Sequence, residues 1–519
     1  MARCDLAREH STRADGGARS AGWVLLALVF LAFLLRFYRI GHQSLWVDEL
    51  LTLQAAEIGG EMTARTFFGN VQGPLHALLV HLVGRLSLSE AALRSVSAVA
   101  SASTVPVLYL LGAELAGRRS GLIAAALGTL SPFSVWYGQE VRNYALLVFF
   151  AAVSTLLLAR LVSGRSRSWS GYVASAVLAG YCNLAALFLL LAHGICAAAR
   201  AVGDRRFARR WVVASVVIIA LLAPVAWGLA KWAREDGVGG RVALAPAAER
   251  GELLRGETTF TPLAVPYTLY SLVYGYSLGP TPVELHTRPP LDAFLERWWL
   301  VAPAGVVAGL AALLGLRALA DDRRALGLTL AVTLVPLAGA CVLALANVKP
   351  FNPRYVSVAL PALLVLCGAG VGLLRRSPAA IVGGLMAIFS LVALGNYYGR
   401  PDYWREDVRG AAKHVEANEE PGDVVLIPVI RDVFEFYYRG SAPRFLLYPG
   451  QASSDAEVAT RIEDGVRGHE RLWFVEARPW RTDPEGRIPA FLNERYRLVE
   501  ELRLPGAKVS LYDLTGSPG

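Results

Sequence analysis

The sequence predicts an α-helical polytopic membrane protein with a small α/β domain at its C-terminal end. Three observations predict it. Hydrophobic residues make up 54% of the 519-residue chain, and the mean hydropathy of +0.42 is too high for an ordinary soluble chain of this length. Charged residues, 18% of the total, gather in short basic clusters between apolar runs, and many of those runs reach the roughly 20 residues that a spanning helix needs. From about residue 400 the composition becomes that of a soluble domain, with short apolar strands set between amphipathic helices.

Residues 1–20 are polar and hold four arginines, and the apolar run "AGWVLLALVFLAFLL" follows. That run closes on "RFYRIG" rather than on a small-residue cleavage site, which makes it an uncleaved first helix (21–40) behind a cytoplasmic tail. Further spans are expected at 95–116, 120–136, 143–162, 209–230, 298–318, 325–346, 355–374 and 378–397. The run 170–202 is too long for one span at about 1.5 Å per residue, so it reads as two short helices meeting near Asn183. The total is about eleven.

The stretch "PLHALLVHLVGRLSL" (74–88) is short and carries His76, His81 and Arg85. If it lies flat as an interfacial helix, the clusters "GRRSG", "GRSRS", "DRRFARR", "DDRR" and "RR" all face the cytoplasm. If it spans, most of them face outward, so the flat arrangement is expected. The domain reading is then a tail (1–20), a transmembrane domain (21–398) whose first extracytoplasmic loop (41–94) holds interfacial helices, and an extracytoplasmic α/β domain (399–519). The pI near 9.4 belongs to the loop clusters and does not indicate nucleic acid. The five cysteines form no CxxC and no zinc spacing.

Parity places three polar clusters on one extracytoplasmic face, and each has two readings. Asp48 and Glu49 in "SLWVDELLTLQ" are either acids at a solvated helix start or a partly desolvated base. In "SPFSVWYGQEVRNYALL", Glu140 and Arg142 either pair and snorkel or work with Tyr144 as intramembrane functional charges. In "NVKPFNPRYVSVALP", Lys349 and Arg354 hold either a lipid headgroup or a phosphate, and Arg36 and Arg39 present the same choice. His193 reads as a packed polar residue. The C-terminal domain has no GxGxxG loop or nucleophile elbow, which suggests support or shaping of acceptor access rather than chemistry.

The order of these features resembles the membrane glycosyltransferases of family 39 and their bacterial relatives, the GT-C superfamily that includes protein O-mannosyltransferases and the aminoarabinose transferase of lipid A. The matching stretches are "LWVDELLT", "GPLHALLVHLVGRLSLSEAALR", "SPFSVWYGQEVRNYAL", "NPRYVSVALPAL" and "DYWREDVRGAAKHVEANEEPGDVVL", spread over about residues 21–430. The resemblance implies a GT-C fold with an outward site. It implies Asp48 as general base with Glu49 beside it, and Glu140, Arg142 and Tyr144 in the cavity of the second loop. Lys349, Arg354 and Arg36 would hold the donor phosphate, and His76 and Asn183 would contact donor or acceptor. The chain departs from the family's His-Pro-Pro-Leu at Gly73-Pro74-Leu75-His76, and from Thr-His at Cys182-Asn183.

The implied reaction is inverting transfer of a sugar from a polyprenyl-phosphate donor to an extracytoplasmic acceptor on protein, lipid or envelope glycan. The implied setting is a bacterial inner membrane, with membrane lipids as partners. No cofactor is required by the motifs. A divalent metal, which some relatives bind, would fall to Asp48 and Glu140, two acids without a third well-placed ligand. Two other classes fit the same helices: a lipid-linked saccharide transporter, for which internal repeats are expected and none is evident, and a non-catalytic envelope scaffold.

Overall fold

The computed structural model describes residues 21–70, 73–232, 261–346, 351–428, 430–447 and 454–515. Lys349 lies outside them.

Each segment expected to span is helical. Among the described residues seven helices are long and apolar enough to cross a membrane: Glu90–Ala116, Tyr144–Val162, Arg205–Gly228, Trp298–Leu319, Arg323–Leu345, Pro353–Leu373 and Arg376–Gly399. The other four expected segments are shorter helices, Ala21–Phe37, Arg118–Leu130, Trp169–Cys182 and Ala186–Ala201. The expected 120–136 helix is cut at Ser131, whose extended backbone precedes Pro132; a residue before proline is pushed out of the helical region. A second helix, Pro132–Gly138, starts there with the Ser131 side chain as its cap. The expected break near Asn183 is present, and Asn183 is extended at the end of Trp169–Cys182. Pro74–Gly84 forms an 11-residue helix, about 16 Å long and too short to span a hydrocarbon core of about 30 Å. The span Pro353–Leu373 opens on a 3₁₀ turn, Pro353–Ala359, capped by Asn352.

The chain divides into two compact units. One holds residues 1–40 and 55–398, and the other holds 41–54 and 399–519. The first loop therefore does not belong wholly to the membrane unit as the sequence suggested, because residues 41–54 are part of the C-terminal body.

That body contains a five-stranded sheet: β1 (Asp423–Leu426), β2 (Arg444–Phe445), β3 (Arg471–Ala477), β4 (Arg497–Leu504) and β5 (Ala507–Asp513), in the order β2-β1-β3-β5-β4. β1 is parallel to β2 and β3, and the β3–β5–β4 part is antiparallel. Val424, Leu426, Leu472 and Phe474 point to one face and share a core with Ile462 and Leu492 from the helices Asp455–Val466 and Arg487–Arg495. Trp473 has the opposite parity and meets His414 of the helix Val408–Asn418 edge to face. This is the α/β layer the sequence predicted.

Candidate active site

The acid pair opens the helix Val47–Ala55. The Trp46 carbonyl accepts from Glu49 N (2.9 Å) and Leu50 N (3.0 Å), so Trp46 stands at the N-cap. Glu49 is the third helical residue. Its carboxylate reaches back to the Trp46 N–H at 3.3 Å, half of a capping box. Glu49 is fully buried in that role, whereas Asp48, in the same first turn, is half-buried. The pair therefore divides: Glu49 secures the helix start, and Asp48 carries the more accessible carboxylate.

The segment ahead of this helix is tied to the C-terminal body. Arg409 donates to the carbonyls of Gly41 and His42, and Gln43 accepts from Arg405 N at 2.9 Å. Ser44 donates to the Glu406 carbonyl at 2.7 Å, and Leu45 N donates to the Tyr437 hydroxyl at 2.8 Å. Two guanidiniums lie over the Trp46 ring, Arg405 at 4.0 Å and Arg478 at 5.5 Å from its centroid. Glu406 grips Arg478 in a fork at 2.7 and 3.0 Å. Burial alone would raise the Glu406 carboxyl, but the Arg478 charge and hydrogen bonds, helped by Arg405, hold it below the usual range.

Within the membrane unit, Glu140, Arg142 and Tyr144 are all buried on the turn between Pro132–Gly138 and Tyr144–Val162. The Arg142 guanidinium lies 5.7 Å from the centre of the Tyr144 ring, and that of Arg354, on the 3₁₀ turn, lies 5.8 Å from the same centre. Two motifs about 210 residues apart in sequence thus bring their cations to one aromatic ring. Tyr137 packs edge-on against Tyr144, and its hydroxyl bonds that of Tyr276 at 3.0 Å.

Other expected site residues support this turn. His76 is buried and bonds Ser97 Oγ at 3.2 Å, while Ser97 donates to the Arg142 carbonyl at 2.9 Å. Because the hydroxyl proton is spent on that carbonyl, His76 Nε2 is the donor to Ser97. Asn183 and Asn143 are joined through their side chains, and Asn143 donates to the Cys182 carbonyl at 2.8 Å. Gly73 sits in the same junction at φ +125°, where an added Cβ would lie 2.3 Å from the Cys182 oxygen and 2.5 Å from Asn143 Nδ2. Glycine is the residue that fits there, since a side chain at that φ would be strained and would clash.

Arg36, expected in the phosphate set, is placed among protein acceptors. It is 0% exposed. Its guanidinium donates to Ser101 Oγ (3.0 Å) and to the carbonyls of Thr129 (2.8 Å), Gly128 (2.8 Å) and Ala32 (3.3 Å). The guanidinium thus serves the last carbonyls of Arg118–Leu130, groups that a helix cannot satisfy internally. Gln139 does the converse for the first helix, donating to the carbonyls of Arg36 (3.0 Å) and Tyr38 (2.7 Å) and accepting from Tyr397. Tyr398 donates to the Leu35 carbonyl, Arg39 donates to that of Tyr398, and Arg94 holds that of Ile40. Sequence reasoning named none of Gln139, Ser97, Asn143 and Arg94 as site residues. Gln139 and Asn143 flank the charged residues of "GQEVRN", which is the signal that was there to use. His193 bonds Thr155 and Tyr172 and is a packed polar residue as expected.

No group of three or more His, Cys, Asp or Glu side chains able to hold a metal occurs among the described residues. Asp48 and Glu140 lie in different units. Neither acid belongs to a group of three or more such ligands among the described residues, and no step below uses a metal.

Residues 71–227 match the family model described as dolichyl-phosphate-mannose-protein mannosyltransferase. No curated relative matches the chain. Among solved structures, the chain is similar to ArnT from Cupriavidus metallidurans in the apo state, with 15% identity and a TM-score of 0.53 over 96% of this chain and 99% of that one. It is similar also to the same protein bound to undecaprenyl phosphate, at 16% identity and a TM-score of 0.50 over 94% and 98%. The chain is a multi-pass membrane protein that shares its fold with ArnT along nearly the whole length of both, and its residues 71–227 match the mannosyltransferase family model.

Proposed function

We propose that the protein transfers a sugar, with inversion, from a polyprenyl-phosphate donor to an acceptor hydroxyl on the extracytoplasmic side of a bacterial inner membrane. The observation that carries the reading is the convergence of Arg142 and Arg354 on the Tyr144 ring inside the membrane unit. Two guanidiniums set against one buried ring present planar donor forks that suit phosphate oxygens, which gives the donor phosphate a charged and hydrogen-bonding seat. The lipid phosphate bound by ArnT supports the same donor chemistry.

In the proposed step Asp48 takes the acceptor hydroxyl proton as that oxygen bonds to the anomeric carbon. The bond from the anomeric carbon to the phosphate oxygen breaks, and its electron pair leaves with the polyprenyl phosphate. Arg142 and Arg354 stabilise the charge that develops there, a contribution that is often the largest in such reactions. Glu49 supports Asp48 through the helix cap.

The test offers purified protein in lipid nanodiscs a panel of undecaprenyl-phosphoryl sugars with crude envelope acceptors, and follows release of undecaprenyl phosphate. Asp48→Asn should lower transfer by about 10²–10⁴-fold, the usual worth of general-base help, with an unchanged unfolding temperature. Wild-type rates in that variant would remove Asp48 as base.

A further inference from the structure

We propose that Arg405 and Arg478 of the C-terminal domain are positioning residues that set the Asp48 helix through the Trp46 ring. The inference deepens the reading of Asp48 as base and rests on it for its catalytic consequence. Its structural part stands alone.

Helix Val47–Ala55 is short, and its first turn hangs on Trp46, whose carbonyl and N–H are both engaged by Glu49. Whatever orients Trp46 therefore orients Asp48 two residues later. The ring is buried, with the Arg405 guanidinium stacked at 4.0 Å and that of Arg478 at 5.5 Å. A guanidinium over an indole is the strongest common form of cation–π contact, and its plane fixes ring tilt in a way that a generic apolar contact does not.

The two arginines are themselves placed with some care. Arg405 lies in the segment whose backbone binds Gln43 and Ser44. Arg478 follows the end of β3 and adopts φ +52°, ψ +52°, a conformation uncommon for a side chain that is not glycine, asparagine or aspartate. The Glu406 fork holds it there at 2.7 and 3.0 Å. Such local strain persists only where the surroundings over-determine it, and it concentrates at functional positions. The C-terminal domain, which has no catalytic motif of its own, thereby contributes to the site as the mount of its acid.

Two measurements on the full-length protein in nanodiscs test this. The first is amide hydrogen exchange in Arg405→Gln, Arg478→Gln and Trp46→Leu. Exchange at residues 49–53 should rise about tenfold or more while β3 and β5 keep wild-type protection, and unchanged exchange at 49–53 overturns the proposal. If Arg478→Gln fails to fold because Glu406 is left buried, Arg478→Gln with Glu406→Gln takes its place. The second is transfer from whichever undecaprenyl-phosphoryl sugar the wild type uses. Arg405→Gln should lower kcat about tenfold or more with the donor KM unchanged, and Arg405→Lys should restore part of it. On an Asp48→Asn background Arg405→Gln should cost nothing further. An inactive Asp48→Asn beside a fully active Arg405→Gln defeats the positioning role and leaves the base. Raised exchange beside an active Asp48→Asn defeats the base and leaves the mount.

Discussion

Replacing Arg36 with methionine separates a structural arginine from a phosphate-binding one. Methionine fills similar length and removes every donor. The Thr129 and Gly128 carbonyls, each 2.8 Å from the guanidinium, then lose their charged partner at the end of a membrane helix. Hydrogen bonds to a charged group are worth about 1.5–3 kcal/mol each, so two of them amount to about 3–6 kcal/mol. The guanidinium no longer has to be desolvated, which offsets part of that loss. Gly128 and Thr129 are buried, so water is not at hand for the two carbonyls. A net loss of several kcal/mol should lower the thermal unfolding midpoint in nanodiscs by several degrees. Undecaprenyl phosphate affinity of the folded fraction should be unchanged. Arg36→Lys should fall between, since an ammonium cannot reproduce the fork that serves both carbonyls and Ser101. An unchanged midpoint together with a tenfold or larger loss of undecaprenyl phosphate affinity would refute the reasoning and return Arg36 to the phosphate set.

Three further outcomes follow from the geometry. Gly73→Ala forces a Cβ against the Cys182 oxygen and Asn143 Nδ2 at positive φ, a strain of about 1–3 kcal/mol. It should lower both the unfolding temperature and undecaprenyl phosphate affinity, and a variant indistinguishable from wild type in both would show that the junction does not hold the Arg142 turn. Arg354→Gln should weaken undecaprenyl phosphate binding by about 10–100-fold, the worth of one charged hydrogen bond, as read by lipid titration; unaltered binding would exclude Arg354 from the donor site. Asp423 is buried, and burial alone would raise its carboxyl. The Arg471 fork at 2.7 and 2.8 Å and the Trp473 indole N–H at 2.8 Å hold it below its ordinary value of 3.8 instead. A depressed folded value means the stabilisation is complete above pH 3.8 and disappears as pH falls through the lower folded value. Hydrogen exchange across β1 and β3 should therefore accelerate on that acid limb, and Asp423→Asn should flatten the acid dependence; an equally steep response in the variant would point to another carboxylate.

The membrane helices were legible because their signal is local. An apolar run of sufficient length declares a span from its own residues, and the break at Asn183 could be found from length alone. Ser131–Pro132 was legible in principle, since proline restricts the residue before it, yet the apolar run continues across it and masks the cut. In the C-terminal domain the short strands were legible from apolar runs. The helices Asp455–Val466 and Arg487–Arg495 were not, because their buried faces comprise only Val458, Ile462 and Val466 in one and Ile488 and Leu492 in the other. Val458, Ile462 and Val466 do fall at helical spacing, but three large apolar residues in twelve are a sparse signal until the sheet that covers them is known.

The site was legible as residue types and much less so as roles, for a reason visible at Arg36 and Arg354. Each is an arginine near the end of an apolar run, and the sequence offers no difference between them. What separates them is the neighbour each finds: Arg36 meets the unsatisfied carbonyls of a helix that ends at Leu130, and Arg354 meets the ring of Tyr144. The same holds for the acid pair. Asp48 and Glu49 are adjacent and chemically alike, and helical geometry alone turns the second back onto the Trp46 N–H. The stretch "DYWREDVRG" then acquires a role that its distance in sequence concealed. Its Arg405, Glu406 and Arg409 bind the segment before Asp48, directly or through Arg478. A motif at the start of the C-terminal domain and a motif after the first helix are thus two halves of one mount, which gives a physical reason for both to be present in a chain that needs an acid at that position.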